Sequence, residues 1–123
     1  MGLAQEGMVS RQMSASSRRV LVVFVTTQSR REALRIAKAA VRKKLAACGN
    51  VVPSVSSIFR WKGRVQSSRE GLLIMKTSAR RYPALAKLVQ SMHSYEVPEI
   101  IALSIDKGLD PYLEWVCKET ATD

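Results

Sequence analysis

Hydrophobic and polar positions predict four strands in this chain. Residues 20–26 form an unbroken, β-branched apolar run, which is typical of a strand buried on both faces. Residues 51–61 and 64–77 predict two more strands, joined at Lys62-Gly63, where glycine permits a tight hairpin turn. Residues 99–106, with Ile-Ile-Ala-Leu-Ser-Ile at their centre, predict the fourth strand.

The segment after the first strand has helical spacing. Ser29 and Glu32 have the spacing of a capping box, in which the serine hydroxyl accepts from the Glu32 N–H and the carboxylate reaches back. We expect the helix to end near Cys48, because Gly49-Asn50 suits a left-handed C-terminal cap. Its expected apolar stripe consists of Leu34, Ala37, Val41 and Leu45.

Two further helices complete the pattern. One is predicted to start around Tyr82-Pro83 and the other at Asp110-Pro111, since proline is tolerated in a first helical turn. The resulting order is β-α-β-β-α-β plus a C-terminal helix. This order predicts an α+β, ferredoxin-like sandwich with both crossover helices on one face of the sheet. A single domain is expected over residues 20–123.

Residues 1–19 predict no secondary structure. They are rich in serine and arginine and contain one acid, Glu6. A disordered tail in a cytoplasmic protein is the favoured interpretation, and an organellar transit peptide is the alternative. The longest apolar run, Val20 to Val25, is much shorter than the ~20 residues that span a bilayer, so no membrane insertion is expected.

The chain is strongly basic, with 20 Lys and Arg against 10 Asp and Glu and a formal net charge of +10. Such a charge attracts polyanions whatever the fold. Much of the excess falls in residues 30–44, where Glu32 is the single acid, so one solvated helix face can account for it. Nucleic-acid binding is therefore kept as an alternative rather than as the expected function.

The segment from His93 to Glu99 has the highest density of functional side chains. His93, Glu96 and Glu99 are ligand types that suit zinc or copper, and Tyr95 adds a phenol. The structural interpretation is stronger on spacing alone, with His93 capping a helix and Glu99 paired with Lys76. The sequence contains no nucleotide-binding or catalytic motif, and a single histidine excludes paired-histidine metal motifs.

Five ordered motifs carry a specific resemblance, and they are Leu45-Ala-Ala-Cys-Gly-Asn-Val-Val-Pro53, Ser57-Ile-Phe-Arg-Trp-Lys-Gly63, Leu72-Leu-Ile-Met-Lys-Thr77, His93-Ser-Tyr-Glu-Val-Pro-Glu99 and Pro111-Tyr-Leu-Glu-Trp115. Together they resemble the CutA family of divalent-cation tolerance proteins over about residues 20 to 119. The resemblance implies a ferredoxin-like homotrimer linked to copper and other divalent metals, without established enzyme activity. Some animal members are instead associated with acetylcholinesterase.

The resemblance places the family's Ala-Ala-Cys on Cys48 and its His-Pro-Tyr-Glu segment on residues 93–96. Ser94 stands where proline is usual, which should loosen a stiff connector. Gly71 replaces an aliphatic residue and should weaken its strand by on the order of 1 kcal/mol. The basic first helix is not part of the family pattern.

We therefore expect a trimeric, metal-responsive binding protein for copper or another divalent cation, and not an enzyme. Cys48 and His93 are the best candidate ligands, with Glu96 and Glu99 as secondary ones. One alternative is a signalling trimer similar to the PII proteins, with a small effector bound between subunits. The other is a basic nucleic-acid-binding module. The sequence does not identify a protein partner.

The trimer is also expected without the family. A ferredoxin-like sheet leaves one face open, and the long hairpin over residues 51–77 exceeds what one protomer of this size can cover. Large aromatic side chains at its tip and on the last helix would form an exposed apolar surface. The expected interface or cleft residues are Trp61, Tyr95, Tyr112 and Trp115.

Overall fold

The computed structural model describes residues 19–122, so the predictions for the N-terminal leader lie almost wholly outside the described residues. The predicted order of elements is confirmed. The strands are β1 (Val20–Thr27), β2 (Cys48–Trp61), β3 (Arg64–Ser78) and β4 (Ile100–Ser104), and the helices are α1 (Arg30–Arg42), α2 (Tyr82–Met92) and α3 (Asp110–Glu119).

The four strands form one antiparallel sheet in the order β2-β3-β1-β4. The core lies between the helices and one face of this sheet. Leu21, Val23 and Val25 of β1 alternate inward and pack with Ile36 of α1 and Leu85 of α2. This period-two alternation is the pattern of a half-buried strand, so the expectation that this strand is buried on both faces is wrong for the single protomer. The predicted α+β, ferredoxin-like architecture is therefore confirmed for the protomer.

The other face of the sheet is apolar and uncovered in the protomer. Directly paired residues on neighbouring strands point to the same side of a sheet. Phe24 is paired with Ile101 and Val22 with Leu103, so these four side chains share the open face. Ile101 and Leu103 are 51% and 55% exposed. The open face that the strand order predicted is therefore lined by large aliphatic side chains.

The predicted apolar stripe of α1 is only partly right, because Ala37 and Leu45 are buried while Leu34 and Val41 are not. The residues that α1 buries are Glu32, Ala33, Ile36, Ala37 and Ala40. Leu34 is half-buried, and Val41 is 40% exposed. The small side chains face the sheet because α1 lies close to β2: a Cβ added at Gly49 would come within 3.1 Å of the Ala37 Cβ.

The predicted end of α1 is also wrong. The helix ends at Arg42, and Lys44 takes the left-handed conformation (φ 61°) that had been expected at Gly49-Asn50. Residues 45–47 lead from the helix to the sheet: the Leu45 and Ala46 N–H groups still donate to the Ala40 carbonyl, and the next bonds are made to β3. The Leu45 carbonyl accepts from the Thr77 hydroxyl at 2.7 Å, and the Ala47 N–H donates to the Lys76 carbonyl at 2.8 Å.

The long hairpin forms as predicted. Lys62 and Gly63 have φ values of 51° and 78°, the consecutive positive angles of a tight hairpin turn. The register between β2 and β3 shifts between Val52 and Val55, where Pro53 cannot donate to the ladder. Beyond this point the hairpin extends away from the core, and Ile58 and Val65 are 75% and 68% exposed.

The third helix closes one end of the sheet. Its buried residue Val116 packs against Val20 and Ala47. The helix begins at Asp110, with Leu109 rather than Asp110 in the N-cap position. Across the described residues 19–122, no helix has the length and apolar character that would span a membrane.

Candidate functional site

A cleft of about 710 Å³ lies where the connector between α2 and β4 faces the distal hairpin. Its lining residues come from the end of β1, from both hairpin strands and from the connector, and they are Thr26, Ser57, Ile58, Phe59, Trp61, Gln66, Ser68, Glu70, Tyr95, Glu96, Val97 and Glu99. The cleft thus brings together four residues that the sequence had singled out, namely Trp61, Tyr95, Glu96 and Glu99.

The charge of this cleft is opposite to that of the chain. Glu70, Glu96 and Glu99 are among its lining residues, and none of the lining residues is lysine or arginine. The whole chain carries +10. A concave site with three carboxylates and aromatic walls favours cationic ligands over anionic ones.

His93 joins the connector to the end of β1. Its Nδ1 accepts the Tyr95 backbone N–H at 3.0 Å, so Nε2 carries the proton and donates to the Thr26 carbonyl at 2.8 Å. Both ring nitrogens are therefore bonded to the backbone. The imidazole contacts the Tyr95 ring, with 4.8 Å between centroids. The imidazole therefore has a structural role, but it links the connector to β1 and does not cap α2 as the spacing had suggested.

Tyr95 is fixed by a carboxylate that the sequence did not reveal. Its hydroxyl donates to Glu70 Oε2 at 2.8 Å. Burial, together with the hydrogen bond to Glu70 and its negative charge, raises the pKa of the Tyr95 phenol to about 12. Glu70 lies on β3, 25 residues before Tyr95, and no local sequence signal links the two.

Glu32 anchors the connector to the start of α1. Its Oε2 accepts the Ser94 N–H at 2.8 Å, and its Oε1 accepts the Gln28 N–H at 2.9 Å. The Ser29 hydroxyl accepts the Glu32 N–H at 3.1 Å. The predicted bond from the Glu32 N–H to the Ser29 hydroxyl is therefore confirmed. The Glu32 carboxylate, however, accepts from the backbone N–H of Gln28 and not from that of Ser29. Burial opposes ionisation, but the Gln28 and Ser94 hydrogen bonds outweigh it and lower the Glu32 pKa.

This contact corrects the expectation that Ser94 loosens the connector. Proline has no N–H, so a proline at this position could not donate to Glu32. The serine supplies a backbone donor, and a nearly buried carboxylate receives it. The connector is therefore held by a hydrogen bond where the family pattern uses a rigid ring.

Close packing explains why residue 71 is glycine. A Cβ added there would lie 2.7 Å from the Thr27 hydroxyl and 2.8 Å from the Ser29 carbonyl oxygen. Both distances are too short for an ordinary contact. Glycine therefore lets the turn between β1 and α1 fold tightly over β3.

Cys48 lies away from the cleft. It starts β2 opposite Lys76, which in turn pairs with Val22 of β1. His93 instead contacts Thr26, four residues further along β1 or about 13 Å at the rise of a strand. One protomer therefore does not bring Cys48 and His93 together.

Cys48 and Tyr112 lie together at a second location, outside the cleft. The Cys48 sulfur lies 3.8 Å from the Tyr112 hydroxyl, and burial and the neighbouring thiol raise the pKa of that phenol. Trp115 stacks near Tyr112 at 5.6 Å between ring centroids. The four expected interface or cleft residues thus divide into two pairs at different places on the protomer.

The two remaining candidate ligands are Glu99 and Glu96. Glu99 accepts from the Thr26 hydroxyl at 3.4 Å, whereas Lys76 donates to Asn50, so the suggested pairing of Glu99 with Lys76 is not formed. Glu96 is exposed at the cleft. Within residues 19–122, no group of three His, Cys, Asp or Glu side chains is arranged to hold a metal ion.

Comparison with known proteins identifies the family. The sequence model described as "CutA1 divalent ion tolerance protein" matches residues 21–119. This chain belongs to the CutA1 family. It is 45% identical over 101 residues to a mouse protein named Protein CutA, covering 82% of this chain and 57% of that one. It therefore spans little more than half the length of this relative.

Two further CutA1 relatives support the same assignment. "Protein CutA, chloroplastic" from Arabidopsis thaliana is 44% identical over 110 residues, covering 88% of this chain and 60% of that one. The divalent cation tolerance protein structure from Thermus thermophilus is 44% identical, with a TM-score of 0.81, and the match covers 83% of this chain and 99% of that one.

Proposed function

We propose that this CutA1 chain is a homotrimeric protein that binds divalent cations, and that it acts by binding rather than by catalysis. The observation that carries the proposal is the acidic cleft. Glu70, Glu96 and Glu99 line it without any lysine or arginine, in a chain with a net charge of +10. Carboxylate oxygens are ligands for divalent cations.

The four candidate ligands contribute unequally to this proposal. Glu96 and Glu99 share the cleft and can contribute two carboxylates per protomer, with a neighbouring protomer completing the site. His93 becomes a ligand only when one of its two backbone bonds breaks. Cys48 would belong to a separate site. Copper prefers imidazole and thiolate, so copper binding in particular depends on His93 or Cys48.

Calorimetry on the purified full chain with Mn²⁺ and Cu²⁺ tests the cleft. Combined Glu96→Gln and Glu99→Gln should weaken Mn²⁺ binding by roughly tenfold or more, because the neutral amides lose both charges. Glu119→Gln removes one exposed carboxylate on α3, away from the cleft lining. It is the control and should leave the affinity unchanged. Equal affinity in all three proteins would exclude the cleft as the cation site.

The same experiment separates the softer donors. His93→Ala and Cys48→Ser should reduce Cu²⁺ affinity if imidazole or thiolate binds this metal. A loss confined to Cys48→Ser would move the copper site to the Cys48–Tyr112 end of the sheet. Unchanged copper affinity in both variants would remove these two residues from the ligand set.

The homotrimer is supported by the surface that one protomer leaves exposed. Ile101 and Leu103 lie on the open sheet face, while Trp61 (54% exposed) and Ile58 lie on the distal hairpin. Large apolar side chains left exposed together in this way are typical of surfaces that an interface covers. Light scattering after size exclusion should give three times the chain mass of 13.7 kDa. A monomer at micromolar concentration would contradict the trimer and any cation site between protomers.

A small-molecule effector is the second candidate function. The observation that favours it is the cleft volume of about 710 Å³, with Phe59, Trp61 and Tyr95 available for stacking. The carboxylate lining disfavours nucleotides and favours amines. A melting screen of full-length protein would test this, since a ligand at 100 times its Kd stabilises by about 2.7 kcal/mol. Stabilisation by nucleotides but not by amines would contradict the charge argument.

The cellular location stays a prediction. We keep the cytoplasm as the expected location and organellar import as the alternative, which the name of the Arabidopsis relative makes worth testing. The full chain fused at its C-terminus to a fluorescent protein should remain diffuse in the cytoplasm. Organellar fluorescence that disappears on deletion of residues 1–19 would support the import alternative instead.

A further inference from the structure

A second concavity, a groove of about 720 Å³, shares no lining residue with the cleft. It lies between α1 and β2, the edge strand of the sheet. Its lining residues are Arg30, Leu34, Ala37, Lys38, Val41, Arg42, Gly49, Asn50, Val51 and Pro53. Neither the family resemblance nor the cation-binding proposal accounts for this basic groove.

The groove has an aliphatic floor with cations along one wall. Leu34, Val41 and Val51 supply apolar surface, and Val41 is 40% exposed although it belongs to a helix packed on the core. The helix lies close enough to form this floor because Ala37 and Gly49 are small where α1 meets β2. An apolar floor of this kind gains free energy when a partner's aliphatic side chains cover it.

The cations on the wall are not paired with carboxylates of the described residues. Arg30, Lys38 and Arg42 line the groove, no lining residue is acidic, and within residues 19–122 no carboxylate forms an ion pair with these three side chains. Lys76 adds charge at the rim by donating to Asn50. Along the helix axis, Arg30 and Lys38 are about 12 Å apart and Lys38 and Arg42 about 6 Å, so a short segment can reach all three.

We propose that this basic groove docks a short acidic peptide segment of a partner protein, with aliphatic side chains between its carboxylates. The cations select the acidic groups and the floor takes the aliphatic ones, so both parts of the lining are used. A single-stranded nucleic acid fits less well, because single strands are held by stacking on aromatic side chains and none of the lining residues is aromatic.

The test is fluorescence anisotropy with the full chain in its native assembly. The probe is a fluorescein-labelled peptide of glutamate and leucine, compared with a peptide in which serine replaces each leucine and with a single-stranded oligonucleotide of equal charge. We expect the glutamate–leucine peptide to bind roughly tenfold or more tightly than either of the other probes, with affinity falling as salt rises.

Matched variants locate the binding. Combined Lys38→Glu and Arg42→Glu should weaken the glutamate–leucine peptide by roughly tenfold or more, because repulsion replaces attraction. Combined Arg31→Glu and Lys87→Glu is the control, because it makes the same charge change at two exposed positions outside the groove. The change in log Kd for the peptide should be less than half of the change that the groove variant shows. Leu34→Ser should weaken the glutamate–leucine peptide but not the serine peptide.

Four results of the binding experiments would overturn the proposal. These are no peptide binding at low salt, equal binding of both peptides, tighter binding of the oligonucleotide, and equal losses in the groove and control variants. A groove variant that changes the oligomer mass would also overturn it, because the groove would then be a contact between copies of this chain. Cation binding at the cleft is independent of all these results.

Discussion

Glu32→Gln tests whether one carboxylate holds the cleft connector in place. Glu32 is 6% exposed and accepts two backbone N–H groups, from Gln28 before α1 and from Ser94 after α2. Glutamine keeps the size of the side chain but has one acceptor oxygen and an NH₂ group. One of the two N–H donors therefore faces another donor in the variant, and the remaining bond loses its charge.

The expected cost is about 2–3 kcal/mol of the free energy of unfolding. Hydrogen bonds to a charged group contribute about 1.5–3 kcal/mol, and stranding a buried donor costs about 1–3 kcal/mol. These ranges describe overlapping effects at one side chain and are not added. Urea unfolding at a fixed protomer concentration measures the loss, because assembly contributes to the stability of an oligomer.

A second substitution makes the test specific for the Glu32–Ser94 contact. Ser94→Pro removes the donor, and His93 already has φ −79° and ψ 143°, an extended conformation that a following proline tolerates. In the wild-type background this substitution should cost about 1–2 kcal/mol. In the Glu32→Gln background it should be neutral or stabilising, because the proline removes the stranded N–H and the glutamine oxygen can turn to Gln28.

The coupling between the two substitutions should therefore be at least about 1 kcal/mol. Glu119→Gln, at the exposed end of α3, is the control and should change stability by less than about 0.5 kcal/mol. Additive costs in the double-mutant cycle, or a cost of Glu32→Gln no larger than that of the control, would refute the view that this carboxylate replaces the family's proline.

Three further predictions concern titration and packing. The pKa of Glu32 in the folded protein lies below its ordinary 4.5. The stabilisation by its carboxylate is therefore present above pH 4.5 and lost as pH falls through the folded pKa. The free energies of unfolding of wild type and Glu32→Gln should converge as the pH is lowered, and a constant difference would contradict this. The Tyr95 pKa is raised to about 12, so its stabilisation is fully present below the unfolded value near 10 and is lost as pH rises through the folded pKa. Tyr95→Phe should remove a late step from the ultraviolet titration, and an unchanged titration would assign that step elsewhere. Gly71→Ala should cost about 1–3 kcal/mol in urea unfolding, because the Cβ meets the Thr27 hydroxyl and the Ser29 carbonyl, and a neutral result would mean that the turn shifts freely.

The sequence by itself determined the elements that short-range chemistry specifies. The β-branched run of β1, the Lys62-Gly63 turn and the Ser29 cap depend on groups within a few residues of each other. Their propensities and hydrogen bonds act before any distant contact forms. The ferredoxin-like order of elements followed from these signals, and so did the open sheet face.

The tertiary structure alone decided which face of α1 is buried and where this helix ends. The helix carries apolar residues on more than one face, so several stripes satisfy the helical period. Both the predicted stripe and the observed one contain Ala37, which lies where α1 approaches Gly49 of β2, and packing against the sheet selected Ala33, Ile36 and Ala40 in place of Leu34 and Val41. The chain beyond the helix bonds to β3 through Leu45 and Ala47, and these bonds do not exist until the sheet is assembled.

The candidate site was likewise only half readable from the sequence. His93, Tyr95, Glu96 and Glu99 were visible as a dense segment because they are close in the chain. Their partners were not: Glu70 is 25 residues from Tyr95, and Glu32 is 62 residues from Ser94. Hydrogen-bond geometry is satisfied within about 3 Å in space, whereas sequence patterns report only neighbours within a few turns or strand residues. The fold therefore had to form before the groups that position this connector could be recognised.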